Sequence, residues 1–172
     1  MTPKIHSQIE KSTVHLKIQD VTRQDLNAQV LQELQETIEG SCGKYGYVLR
    51  GSTVLTDRSV GKIVTSDSES HLEFKVTYNT ETIYPCKDDE YECKINSITK
   101  MGILGYLEYK VPGDDNEVTI KNSPVQFILP DEFIEDVPET HKQIGKTLKV
   151  QVLETRIKYR AHQIQVVAKP SV

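Results

Sequence analysis

Residues 39 to 49 read EGSCGKYGYVL, with three glycines, a thiol, a lysine and two tyrosines in eleven positions. Such a run could cradle phosphate, hold a metal or form a contact turn. A phosphate loop of the NTPase kind needs G-x-x-x-x-G-K-[ST] between a strand and a helix, so that backbone amides meet the phosphates at a helix N-terminus. Here Lys44 is followed by Tyr45, and the glycines follow an apolar-periodic stretch and enter a run of β-formers. Cys42 has no His or Cys close by in sequence, which argues against a metal site. What remains is a turn: Gly40 ends a helix in the left-handed conformation, Gly43 and Gly46 allow a tight reversal, and Tyr45 and Tyr47 supply the amphipathic rings favoured at protein interfaces.

Catalysis has little to work with. His6, His15, His71, His141 and His162 are dispersed, and neither G-x-S-x-G nor H-E-x-x-H occurs. The expectation is a protein that is not an enzyme and carries no cofactor or metal. Cys42, Cys86 and Cys93 form no C-x-x-C pair and read as free thiols. The chain of 172 residues is 37% hydrophobic and 27% charged, ordinary for a globular protein. No segment reaches the roughly 18 apolar residues of a membrane span, and MTPKIHSQIEKST lacks the pattern of a signal peptide, so an intracellular location is expected.

The formal net charge is −4, but it is unevenly placed. Acidic clusters at Asp88–Glu92 and Asp131–Glu139 precede a C-terminal stretch from Lys142 onward with seven Lys or Arg against Glu154 alone. Arg156, Lys158 and Arg160 alternate with Ile157 and Tyr159, so a strand through them would put three cations on one face. A basic strand face is a track for a phosphate backbone, on which tyrosines such as Tyr106 and Tyr109 could stack bases. The alternative is a solvated outer strand.

The elements that would position these residues fall into two sets. After a polar lead, Val14, Leu16 and Ile18 alternate with polar residues as in a half-buried strand. A helix is expected from Thr22, capped by its hydroxyl on the Asp25 amide, with the Asp25 carboxylate reaching back and Val21 and Leu26 as a hydrophobic staple. Leu26, Val30, Leu34 and Ile38 form its apolar stripe. YGYVLRGSTVL, VGKIV and LEFKVTY then read as strands. The first half is thus a small sheet covered by one helix. Pro85 and the acidic run after it mark a seam. Beyond it, strands are expected at Tyr91–Ile95, MGILGYL, Val118–Ile120, Val125–Leu129 and two more turning near Ala161 and His162. Some five or six short strands fit a small oligonucleotide-binding barrel or a sandwich.

With these residues in view, the chain resembles the stalk subunit of multi-subunit DNA-dependent RNA polymerases, the seventh-subunit type of polymerase II and its archaeal counterpart. The likeness runs from about Val14 to Ala168. Its most specific piece is E-G-x-C-x-K-Y-G-[YF]-V, carried by Glu39, Gly40, Cys42, Lys44, Tyr45, Gly46, Tyr47 and Val48. Gly61 and Ile63 in VGKI, Tyr84-Pro85, Lys100 and Gly102 in KMGIL, and Thr155-Arg156 support it.

The resemblance implies an α+β, mostly β protein: an N-terminal extension (1–13), a tip domain (14–85) that docks on the polymerase core, and an S1-type oligonucleotide-binding barrel (86–172) near nascent single-stranded RNA. It implies large and small core polymerase subunits and a small helical stalk protein as partners, with no membrane. The docking residues implied are Glu39, Gly40, Gly43, Lys44, Tyr45, Gly46, Tyr47 and Gly61. RNA contact would fall to Tyr106, Tyr109, Arg156, Lys158 and Arg160, with Phe127 at a family aromatic position, either stacking or in the core. Departures are SDSES in place of a P-G-x-G turn, Asp89-Glu90 in place of Gly-Glu at the start of the barrel, and Ile103 and Leu104 where S1 barrels often carry aromatics. This divergence fits a large DNA virus copy, in virion and host cytoplasm, as well as a fast-evolving cellular lineage, in the nucleus. Two rivals stand beside this expectation: a free-standing single-stranded-RNA-binding protein of translation or decay, and a scaffold that touches only proteins.

Overall fold

The computed structural model describes residues 3–21, 25–111, 113 and 115–171. Its organising element is a 15-residue strand, β6 (Glu69–Ile83), which pairs with four of the other five strands of a six-stranded sheet. Strand β1 (Ile5–Lys17) runs antiparallel along one side, from Ile5 opposite Ile83 to Lys17 opposite His71. On the other side lie β3 (Gly46–Val48), β4 (Val54–Arg58) and β5 (Lys62–Ser66) in succession, and β2 (Cys42–Gly43) pairs with β3. Helix α1 (Leu26–Ile38) covers one face, burying Val30 and Leu34 with Val14, Leu16, Phe74, Val76 and Tyr78. The alternation of LEFKVTY is the reason: its apolar side chains point one way and meet the helix stripe.

Two expectations change here. The first strand starts at Ile5 rather than Val14, so IHSQIEKST is no loose extension. Its backbone is bonded to the second half of β6, and that pairing supplies the order its polar side chains do not advertise. Asp25 caps α1 without a side-chain hydrogen bond, and the expected Thr22 cap lies outside the described residues. At the other end Gly40 adopts φ +72 as expected, its amide donating to the Val48 carbonyl at 2.9 Å, so the helix exit is tied to β3. SDSES forms a tight hairpin between β5 and β6, with Asp67 at φ 49 and Ser68 at φ 67.

The second half is a closed five-stranded barrel of β7 (Glu90–Thr99), β8 (Gly102–Leu107), β9 (Val125–Pro130), β10 (Thr147–Arg156) and β11 (Ile164–Pro170). Its ring order is β7-β8-β9-β11-β10, parallel between β9 and β11 and antiparallel elsewhere, compatible with an oligonucleotide-binding barrel. Cys93, Ile95, Ile103, Val125, Phe127, Leu129, Val150, Val152, Ile164 and Val166 fill the interior. Tyr91 packs on Phe127 with ring centroids 5.7 Å apart. Gly105 is required by close approach: a Cβ there would sit 2.2 Å from the Cys93 Sγ. Val118 and Ile120, expected in a strand, lie in the loop between β8 and β9 instead.

The seam is not a loose linker. Thr155 Oγ1 donates to the Pro85 carbonyl at 2.8 Å, the Asp88 amide to Val152 at 2.9 Å, and the Val152 amide to Asp89 at 2.8 Å. Cys42, Tyr47, Leu49 and Ile83 of the sheet belong to the same apolar cluster as the barrel interior.

Candidate functional site

The EGSCGKYGYVL turn is a two-strand hairpin in which Gly43 faces Gly46 and Lys44 and Tyr45 form the tip. Gly46 sits at φ +110 with Ile83 beneath it, where a Cβ would come 2.3 Å from the Ile83 carbonyl oxygen. Gly43 has open space at its Cβ position, so the tight reversal depends on Gly46. Glu39 holds the neighbouring loop: one carboxylate oxygen accepts the Gly51 amide at 2.9 Å, the other the Thr53 hydroxyl at 2.8 Å and amide at 3.3 Å. That places Glu39 inside the architecture of the turn.

Tyr47 is the first correction to the expected docking set. Its ring is 5% exposed and packs into the apolar cluster shared with the barrel, where burial raises its phenol pKa against the opposing influence of Arg50. It is an internal anchor, because in β3 it points opposite to Val48 and hence toward the barrel. Lys44 and Tyr45 remain outward, the Lys44 ammonium 5.3 Å from the Tyr45 ring centroid. Gly61 is held against the Phe74 ring, 2.9 Å from its would-be Cβ, and beside it Val60 and Ile63 are exposed.

The turn meets the barrel through its backbone. The Cys42 amide donates to the Ala161 carbonyl and the Arg160 amide to the Cys42 carbonyl, both at 2.8 Å. His162 Nδ1 lies 3.3 Å from the Gly40 carbonyl oxygen. The loop so fastened, between β10 and β11, carries Lys158, Tyr159 and Arg160. Tyr159 is 74% exposed, with the Arg160 guanidinium 5.4 Å from its ring centroid.

Charge links the two loops across the sheet. Glu10 is raised above its usual carboxylate range by burial, which the Lys44 charge opposes. Tyr78 is pushed up to about 12 by burial first, then by Glu10 and Tyr159. Each of the two loops carries a cation beside a tyrosine ring, Lys44 with Tyr45 and Arg160 with Tyr159. An exposed pair such as Arg160 and Tyr159 has the chemistry to take a phosphate backbone and stack a base.

The expected three-cation strand face does not form. Strand β10 ends at Arg156, Lys158 lies beyond it, and Arg160 turns at φ +64, so the alternation is broken by the loop. Arg156 reaches Glu154 at 3.6 Å in an exposed ion pair. Phe127 is fully buried in the barrel interior and has no face for a base. Tyr106 stands opposite Lys94 and Gln126, pointing away from the interior, but is only 8% exposed. Tyr109 is half-buried against the barrel cluster and lines a groove of about 670 Å³ between sheet and barrel, with Arg50, Lys110, Glu117, Lys121 and His162.

Tyr159 and this groove were missed by sequence reasoning. Tyr159 was legible as an aromatic among cations, whereas the groove joins residues too far apart in the chain for any local pattern. Burial pushes the thiols of Cys42 and Cys93 up to about 11 and about 12, so both stay protonated and inert at neutral pH, while Cys86 is exposed. Among the described residues no three His, Cys, Asp or Glu side chains converge as a metal site, and no helix is long and apolar enough to cross a membrane.

Comparison with known proteins finds no matching family model and no significantly similar curated protein.

Proposed function

We propose that this chain is a non-catalytic, stalk-type subunit of a multi-subunit DNA-dependent RNA polymerase, docking on the core through its sheet half and holding nascent single-stranded RNA against its barrel. The reading rests on the polymerase-like motif and on one observation that favours it: the motif turn and the basic loop between β10 and β11 are hydrogen-bonded to one another through Cys42, Arg160 and Ala161. A docking element so joined to an RNA-contacting loop would hold transcript at a set position on the enzyme.

Docking is assigned to Lys44, Tyr45 and the exposed Val60 and Ile63 flanking Gly61. RNA contact is assigned to Lys158, Tyr159 and Arg160, with Arg156 as an outlying cation. Such contacts tolerate sequence and weaken as salt rises.

Affinity capture of the full chain tests this. Recovery of the large polymerase subunits, lost in the double variant Lys44→Ala, Tyr45→Ala or in Val60→Asp, is the expected result. Recovery of ribosomal or decay components in their place rejects it and favours a free-standing RNA-binding protein, for which the exposed Tyr159–Arg160 pair would suffice on its own.

A further inference from the structure

Strand β1 is an edge. Among the described residues it hydrogen-bonds to β6 and to no other strand, and it keeps an unbroken register over its 13 residues, without bulge or proline. An edge of this length, about 43 Å, is a ready template for another strand.

Which backbone groups it offers can be worked out. On β6 the odd-numbered residues turn their groups away from β1: the carbonyls of Lys75 and Glu81 accept the amides of Ser59 and Leu49 on the far side. The even-numbered residues of β6 therefore bond β1. Directly opposed residues of an antiparallel pair either exchange both bonds or neither. With Thr80 opposite Gln8 and Tyr78 opposite Glu10, the even residues of β1 are the bonded ones. The N–H and C=O groups of Ile5, Ser7, Ile9, Lys11 and Thr13 face outward.

The side chains of that set suit a copy of themselves. Ile9 is 75% exposed and Ile5 37%, unusual for isoleucine on a free edge. An antiparallel pairing with its two-fold axis at Ile9 sets Ile9 against Ile9 of the copy, Ser7 against Lys11, Ile5 against Thr13, Gln8 against Glu10 and His6 against Ser12. No like charges are opposed, and each outward residue from Ile5 to Thr13 exchanges both bonds. Moving the axis one or two residues toward the C-terminus opposes Glu10 to itself or Lys11 to itself, which is unfavourable. Lys11 is the lone charge in the outward set of this window, and the Ile9-centred register gives it a serine.

We infer that β1 is a self-association edge, through which two copies of this chain join their sheets by antiparallel pairing about Ile9. The closed two-fold arrangement uses the same edge on both copies, so it ends at a dimer. It is independent of the polymerase reading, since it needs only the strand.

The test uses the full chain. Sedimentation across a concentration series should show a monomer–dimer equilibrium. Ile9→Pro removes an amide that β6 does not use, and Ile9→Lys opposes two cations at the axis. Each should weaken the dimer by at least about tenfold while leaving the circular dichroism spectrum unchanged. Amide exchange of the wild type supplies a readout that needs no variant: Ser7, Ile9 and Lys11 should become protected as concentration rises. A chain that stays monomeric, a dimer that persists in both variants, or outward amides protected only on adding polymerase or another protein overturns the inference.

Discussion

The backbone of Cys42 is bonded on both sides to the loop that carries Arg160: the Arg160 amide donates to its carbonyl, and its own amide donates to Ala161, each at 2.8 Å. Arg160 adopts φ +64 to do so. Its backbone and its guanidinium therefore serve different ends, which substitution can separate. Arg160→Gly removes the left-handed strain and should raise unfolding free energy by up to about 1 kcal/mol in urea titration, and, if the proposed RNA path holds, should weaken single-strand binding. Arg160→Pro removes the amide and forbids the positive φ, and should cost roughly 2–4 kcal/mol.

If the loop tracks a phosphate backbone, its charges set the salt dependence of single-strand binding. Each of Lys158→Ala and Arg160→Gly should reduce the slope of log affinity against log salt by about 0.7. Tyr159→Ala should lower affinity by about 1–3 kcal/mol with the slope intact. Titration of a labelled oligoribonucleotide at several salt concentrations measures all three, and unchanged slopes would remove the loop from the RNA path.

Thr80 and Thr82 bury hydroxyls that have no hydrogen-bond partner among the described residues. Exchanging the hydroxyl of either for a methyl group removes an unmet desolvation cost at nearly constant shape. Thr80→Val and Thr82→Val should each stabilise the fold by about 1–2 kcal/mol in chemical denaturation. A loss of stability would mean that these hydroxyls are satisfied in solution.

Glu10 has its pKa raised by burial, in excess of the opposing pull of Lys44. A carboxyl that holds its proton more tightly folded than unfolded favours the fold at acid pH, and that contribution is lost as pH rises through the folded value. At neutral pH the ionised group therefore works against folding. Glu10→Gln should raise the melting temperature at pH 7, and the difference from wild type should vanish as pH falls below the ordinary glutamate value of about 4.3.

Thiol reactivity reports on the shared core. Cys86 is exposed, whereas Cys42 and Cys93 are buried with pKa values pushed up to about 11 and about 12. In the native protein a colourless disulfide reagent should titrate one thiol promptly and all three only after denaturation. Prompt reaction at Cys42 would mean that the joint between sheet and barrel opens.

Much of this fold was legible. The alternation of Leu72, Phe74, Val76 and Tyr78 and the stripe of Val30 and Leu34 carry one half, because burial of one face writes a period into the chain. The barrel strands were legible for the same reason, although their closure was not, since ring order depends on pairings between distant segments. IHSQIEKST was misread because its order comes from backbone bonds to β6, which leave no apolar period. At the site, Tyr45 and Arg160 lie outward on exposed loops, whereas Tyr47, read as a docking residue, and Phe127, read as either stacking or core, both face inward. An aromatic in a strand looks the same whether its partner is solvent, another chain or its own core, and the choice is made by which face the rest of the fold covers.

Strand β6 starts at the exposed Asp67–Ser68 hairpin and ends at Ile83, fully buried in the apolar cluster that sheet and barrel share. Over about 50 Å it crosses no hinge. Whatever grips the hairpin end consequently aims the barrel as well, in the manner of a handle cast in one piece with its tool.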